Sequence, residues 1–489
     1  MSGRVAAPAA ASGSASGPAA GVSIRQRRAA LGLLASAQFV VMLDTSIVNV
    51  ALPSIQDDLD LTPAAVAWVV NAYVLTFGGL LLLAGRTADV VGRRRMFVVG
   101  SAVFTAGTLL AGTAQSEAVL LAARVIQGTG AAALSPAAMS LLLVMFPGAA
   151  RARAMSAWGA ASTLGGATGV LAGGLLSGTF GWSWVFFATV PVTTVAMVAA
   201  HRVLDPAPAR ARRGFDVVGA ATVTGAVLAL VHGALSAPRE GWTSPSVLSA
   251  AAVAAVLLRV FVAVERRVAD PLVPLDTFAS AAVPTGVLLA VLGGAARAST
   301  FVLIALYLQQ GLQLAPQAAG LAMVPTSLAG FAVSVGLLPR VLRSLGPERS
   351  LVLGLVVLAA GHLLLARTPT EARYVVDVLP ALLLVAAGVA LSFTPTTMVI
   401  AAAVPTARAG LASGLASSAT QVGAALGLAA FTAVAVFSTG SGEGPGAVSV
   451  DGFAAAFAAA GALALTTAAV ALALAAAPFR RSAEGTRLR

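Results

Sequence analysis

The stretch GRTADVVGRRR, residues 85–95, decides the fold. It concentrates Arg86, Asp89 and the triplet Arg93, Arg94 and Arg95 between two long apolar runs, near residues 65–84 and 96–114. Each flanking run has about 20 residues, the length at which an α-helix crosses a bilayer. A charged segment between two such runs is a short connection on one membrane face, and clustered arginine marks that face as cytoplasmic.

Composition extends this reading to the whole chain. Of 489 residues, 58% are hydrophobic and 10% charged, with a mean hydropathy of +0.93, values that describe an integral membrane protein. There is no cysteine, so disulfides and thiolate metal sites are excluded. His201, His232 and His362 fall in separate segments without metal-ligand spacing. The net charge of +12 is carried by arginine alone, in short loops between apolar runs. It therefore reads as an orientation signal and not as a nucleic-acid surface, which would need a soluble face. The absence of lysine, with abundant Ala and Gly, fits the coding bias of a GC-rich bacterial genome.

With the spanning length as ruler, helices are predicted near residues 29–52, 65–84, 96–114, 118–146, 153–177 and 183–203. After the polar linker LDPAPARARRGFD come two more, near 216–236 and 246–264, and after ERRVADPLVPLD a last set near 283–308, 317–339, 350–366, 376–402, 409–436 and 452–477. The fold class is thus all-α, with 14 transmembrane helices arranged as 6+2+6. Residues 1–28 read as a disordered, basic cytoplasmic tail, 29–204 and 283–478 as two six-helix bundles, 205–282 as linkers with two inserted helices, and 479–489 as a second basic tail. Ala35-Ser36-Ala37 resembles a signal-peptide cleavage site, but the apolar run continues past it as one full span.

Loop charge supports the count. With the N-terminus inside, arginines such as Arg86, Arg93, Arg151, Arg202, Arg266, Arg340, Arg408 and Arg480 fall on the cytoplasmic side, and only Arg239, Arg367 and Arg373 fall outside. Both termini are expected in the cytoplasm of a bacterial cell, with the chain multi-pass in its cytoplasmic membrane.

The segment 85–95 also matches the loop signature between helices 2 and 3 of the major facilitator superfamily, G-x-x-x-D-x-x-G-R-R/K-x. LDTSIVNVALP, residues 43–53, resembles the first-helix signature of that superfamily's fourteen-spanner drug/proton antiporters, and RVIQGTGAA, residues 124–132, is similar to the fourth-helix signature. The resemblance covers nearly the whole chain after the tail. It implies two bundles around a central cavity, alternating access, and a cytoplasmic latch of Gly85, Asp89, Gly92 and Arg93. In that latch Asp89 should meet the start of the thirteenth span near Ala409 and Gly410. The fifth helix departs from the pattern: GVLAGG, residues 169–174, has Val170 where the antiporter signature has proline. The ladder Gly165, Gly169 and Gly173 remains, and that spacing permits close helix packing.

Within the spans one carboxylate stands out. Of 18 acidic residues, Asp44 is the one placed well inside hydrocarbon, where an ionised group is costly and usually functional. It lies roughly 12 Å from the outer end of helix 1, and Arg124 roughly 10 Å from the outer end of helix 4. The two share a depth, so they meet either directly or across a water-filled cavity. Gln127, three residues after Arg124, extends the same face. Arg297, near the middle of the ninth span, either binds an acidic or carbonyl-rich compound or pairs with Asp44. Trp68, Asn71, Tyr73 and Gln421 are candidate cavity residues, with membrane-interface or packing roles as the alternative.

These observations lead to a proton-coupled antiporter. Burial favours a neutral carboxyl, whereas a neighbouring guanidinium or a cationic substrate favours the carboxylate, so Asp44 with Arg124 suits proton coupling. The expected cargo is an amphipathic small molecule such as an antibiotic or toxic metabolite; the alternative is one specific, acidic metabolite. No cofactor is expected beyond the proton gradient, no nucleic-acid partner, and a functional monomer in the lipid bilayer. An enzyme is disfavoured, because an intramembrane hydrolase needs paired catalytic groups. A membrane sensor would need a soluble signalling domain.

Overall fold

The structure, a computed structural model, describes residues 23–204, 216–369, 371–438 and 448–487. Residues 1–22 of the expected tail, the linker residues 205–215 with Arg210, Arg212 and Arg213, and residues 488–489 lie outside the described residues. The described chain is helical, without strands.

The first half holds α1 (Ile24–Asp58), α2 (Pro63–Val91), α3 (Arg93–Gly112), α4 (Glu117–Met145) and α5 (Ala149–Thr179), then α6 (Ser183–Phe187) and α7 (Val190–Val203), which share one pass. The inserted pair is α8 (Val217–Glu240) and α9 (Pro245–Glu265). The second half holds α10 (Ala282–Leu306), α11 (Pro316–Ala322), α12 (Val324–Ala332), α13 (Leu338–Leu365), α14 (Leu379–Ala403), α15 (Ala409–Phe437) and α16 (Val450–Arg487).

Local chemistry sets the helix starts. Thr62 caps α2 by accepting a hydrogen bond from Ala65 N at 3.2 Å, Ser244 does the same for Val247 N, and Asp216 for Gly219 N at 2.7 Å. Pro63 and Pro245 follow two of these caps at the first helical position, where a missing N–H costs nothing. Between α2 and α3, Gly92 has φ +109°, a conformation that only glycine adopts readily, so the chain turns there in one residue.

Thirteen helical runs among the described residues are long and apolar enough to cross a bilayer. One of them, Ala318–Leu365, has 48 residues, about 72 Å if straight and more than twice a hydrocarbon core. It is interrupted at Gly346, whose φ of +76° is not helical and which is followed by Pro347. Counted as two passes, it brings the total to the expected fourteen. Other boundaries shift. The first helix starts at Ile24, because Ser23 caps it through Gln26 N, so Arg25, Arg27 and Arg28 belong to a helix and not to the tail. The last helix continues to Arg487, past the bound expected at residue 477.

Two separate cores correspond to the two bundles. Leu34, Phe97, Phe104 and Trp158 are buried in the first; Leu355, Leu358, Phe453 and Phe457 in the second. The inserted helix α8 leans on α2 and α15 together, with Leu228 against Gly79 of α2 and Val227 and Val231 beside Ala425 and Ala429 of α15. It therefore touches both halves on one side of the molecule.

Candidate substrate and proton site

Asp44, on α1, is fully buried and meets Arg124 of α4 directly, with Arg124 Nη1 3.0 Å from Asp44 Oδ2. Gln127, one turn along α4, donates from Nε2 to Asp44 Oδ1 at 2.6 Å and accepts from Arg124 Nη1 through Oε1 at 2.6 Å. Arg124 Nε donates to Val69 O on α2 at 3.0 Å, and its guanidinium lies 4.3 Å from the centre of the Tyr73 ring. Three helices thus converge on one ion pair, which charge-assisted hydrogen bonds and a cation–π contact surround. The cluster fits together because Gly128 lets α4 approach α2: a Cβ there would sit 2.8 Å from Tyr73 O.

Of the four candidate cavity residues, only Tyr73 joins this cluster. Trp68, Asn71, Leu75 and Gly79 follow one another at three- and four-residue spacing along a single stripe of α2, and that stripe faces the inserted helix α8. Trp68, 43% exposed, stacks on His232 of α8 with ring centres 6.2 Å apart. Asn71 lines a crevice of about 300 Å³ between α2, α8, α10 and α15. Trp68 and Asn71 thus lie on a face of α2 apart from the Asp44 cluster: a helix has several faces, and polarity alone does not say which one each residue occupies. Gln421, on α15, lies opposite Gly78 of α2, where the two halves touch.

Arg297 is buried in α10 and does not pair with Asp44, whose two oxygens are taken by Arg124 and Gln127. Its Nη1 donates to Thr396 Oγ1 on α14 at 3.3 Å, and its guanidinium lies 5.8 Å from the centre of the Phe393 ring. Tyr307 packs away from this site, against Phe453 and Phe457 in the core of the second half.

At the opposite end of α2, Asp89 accepts from Gly410 N and Leu411 N, the first turn of α15, each at 2.9 Å. Arg93 donates to Asp89 at 2.9 Å and reaches Thr406 O at 3.1 Å and Ala407 O at 3.3 Å. A carboxylate at a helix N-terminus satisfies unpaired N–H groups and the helix dipole together. Gly85 and Gly410 make the contact possible, because a Cβ on either would run into the other's backbone carbonyl. Nearby, Ser413 Oγ donates to Pro136 O of α4 at 3.0 Å, a further bond between the halves.

Gly165, Gly169 and Gly173 face α1: a Cβ on each would meet the carbonyl of Phe39, Leu43 or Ile47. α5 thus packs on the helix that carries Asp44. Val170, in the proline position, points at Gly320 of α11, another contact between the halves.

Two partners escape a reading of the sequence. Thr108 of α3 accepts from Gln127 Nε2 at 2.9 Å, and Thr396 of α14 accepts from Arg297. Threonine is common within membrane helices and usually bonds its own helix, as Thr76 does to Ala72 O, so no local signal marks these two.

The chain matches the Major Facilitator Superfamily over residues 34–428. It is 37% identical over 434 residues to the puromycin resistance protein pur8 of Streptomyces alboniger, covering 86% of this chain and 85% of that one. It is 36% identical over 417 residues to the cephamycin export protein CmcT of Amycolatopsis lactamdurans, covering 84% and 85%. Its fold resembles that of the human organic anion transporter MFSD10, with a TM-score of 0.68 at 15% identity, over 91% of this chain and 99% of that one. The family match spans both bundles and contains the Asp44–Arg124 pair and the Asp89 contact: the chain belongs to the major facilitator superfamily, among its drug efflux transporters.

Proposed function

We propose that this protein is a proton-coupled antiporter, exporting amphipathic small molecules of the antibiotic type by alternating access, and that Asp44 carries the coupling proton. The observation that carries the reading is the position of Asp44. It is fully buried 14 residues before the end of α1 at Asp58, whereas the other described acidic residues lie near helix ends, in connections or beside the break at Gly346. An ion pair that serves packing alone is a poor stabiliser, so its retention in a membrane helix favours a functional role. The names of the antibiotic-resistance and export relatives support the cargo class.

In this reading the carboxylate form of Asp44, held by Arg124 and Gln127, belongs to the substrate-loaded state. Facing outward, where proton activity is higher, Asp44 takes a proton and loses its charge attraction to Arg124, and the substrate leaves. The protonated carrier returns and releases the proton inside. Ligand and proton act by favouring different conformations of the same carrier. The Asp89 latch, which closes one end of the two bundles, belongs to the outward-open part of the cycle. In this reading both termini lie in the cytoplasm, which the one-sided arginine distribution supports, and the protein works as a monomer.

The test is accumulation of puromycin in inside-out membrane vesicles under an imposed pH gradient. Uptake that a protonophore abolishes is the expected result. Uptake that persists without the gradient, or that requires ATP, overturns the proposal.

A further inference from the structure

Arg297 is a buried cation whose charge nothing in the described protein answers. No carboxylate among the described residues lies within 4.0 Å of it, and its Nε and Nη2 have no hydrogen-bond partner. Its one bond goes to Thr396 Oγ1, which in turn donates to Ser392 O at 2.8 Å. Gly293, one turn earlier, leaves the space that the guanidinium fills: a Cβ there would sit 2.8 Å from Arg297 Nη1.

Its place in the fold makes this more than a stray charge. Asp44 stands 14 residues before the last residue of α1, Asp58, and Arg297 stands 14 residues before Gly311, where the helical run begun by α10 ends. The first helix of each half therefore carries a buried charge at one register, negative in the first half and positive in the second. The halves answer these charges differently. Asp44 accepts one hydrogen bond on each oxygen, from Arg124 and from Gln127, whereas Arg297 has a hydroxyl and the face of Phe393.

A guanidinium removed from water without a counter-charge is costly, and its planar fork of N–H groups matches a carboxylate or sulfonate. We infer that Arg297 is the binding point for an anionic group on the exported molecule, a carboxylate, sulfonate or acidic phenol on an aromatic or apolar skeleton. Nε and Nη2 donate to the anion, and Phe393 flanks the skeleton. The inference rests on the export reading above and adds the charge of the cargo. Substrate anion and coupling proton then occupy different halves, so they are exchanged through the conformational change and do not compete for one group.

A matched pair of probes tests this on the full chain in nanodiscs of neutral phosphatidylcholine. 1-Anilinonaphthalene-8-sulfonate carries the anion, and N-phenyl-1-naphthylamine is the same skeleton without it. The expected result is saturable binding of the sulfonate above empty nanodiscs, weakened about tenfold or more in Arg297→Gln, with Arg297→Lys in between and the neutral probe unchanged. Because the substitution removes an unanswered charge, the melting temperature of Arg297→Gln should equal or exceed that of the native protein. Absence of saturable sulfonate binding, equal binding by native and Arg297→Gln, or loss of both probes together with a lower melting temperature would each overturn the inference. Equilibrium binding needs neither a gradient nor Asp44, so failed proton coupling leaves this result standing. Gradient-driven puromycin uptake by Arg297→Gln would conversely preserve the export reading if the anion site failed.

Discussion

Arg124 Nη1 and Asp44 Oδ2 are 3.0 Å apart, and both side chains are excluded from solvent. Removing one member strands the other. Asp44→Ala should destabilise the protein by about 3–5 kcal/mol, while Asp44→Leu combined with Arg124→Leu should recover much of that loss. Thermal unfolding in a mild detergent checks both values. A double variant as unstable as the single one would show that the pair does not act as a unit.

Asp89 holds α15 to α2 through Gly410 N and Leu411 N. Asp89→Ala leaves two helix N–H groups unmet, at a cost of about 1–3 kcal/mol to the closed form. The chain has no cysteine, so Ser413→Cys places a single thiol behind this contact. Labelling of that thiol from the cytoplasmic side should accelerate when Asp89→Ala is added, and an unchanged rate would count against a latch.

Gly169 lies under α1 with no room for a side chain, because its Cβ would come 2.7 Å from Leu43 O. Gly169→Val should force α5 away from the helix that carries Asp44, at about 1–3 kcal/mol. Gly178, which has open space around it, should tolerate Ala with little change. The two melting temperatures, measured side by side, check the contrast.

Outside the membrane spans, Asp276 forms an ion pair with Arg408 at 3.2 Å, and the hydrogen bond from Arg408 holds the Asp276 carboxyl below its usual range. A depressed carboxyl pKa stabilises the folded state above the unfolded value and loses that contribution as pH falls through the folded value. Asp276→Asn should therefore lower the melting temperature slightly near pH 7, and the difference should shrink as the pH falls below the usual carboxylate range. The effect is small because the pair is exposed.

Much of this was legible before any coordinates. Membrane-length apolar runs and one-sided arginine define the passes, because each constraint acts on local sequence alone. Asp44 and Arg124 could be matched because depth along a helix is a simple function of residue number. Rotation about a helix is harder to read. Trp68, Asn71 and Tyr73 lie within six residues of α2, yet Tyr73 faces α4 while the other two face α8, and the difference depends on packing partners far away in sequence. The unanswered charge of Arg297 was likewise hidden, since a missing partner shows only once the neighbours are placed.

The central claim, that Asp44 carries the coupling proton, is tested most directly by proton movement in inside-out vesicles holding a pH gradient. Puromycin and related antibiotics are added to vesicles containing the native protein or Asp44→Asn, and a pH-sensitive dye reports the gradient. The account predicts compound-dependent proton release with the native protein and none with Asp44→Asn. Equal release by both, or transport of the compound by the native protein without any proton movement, would contradict it.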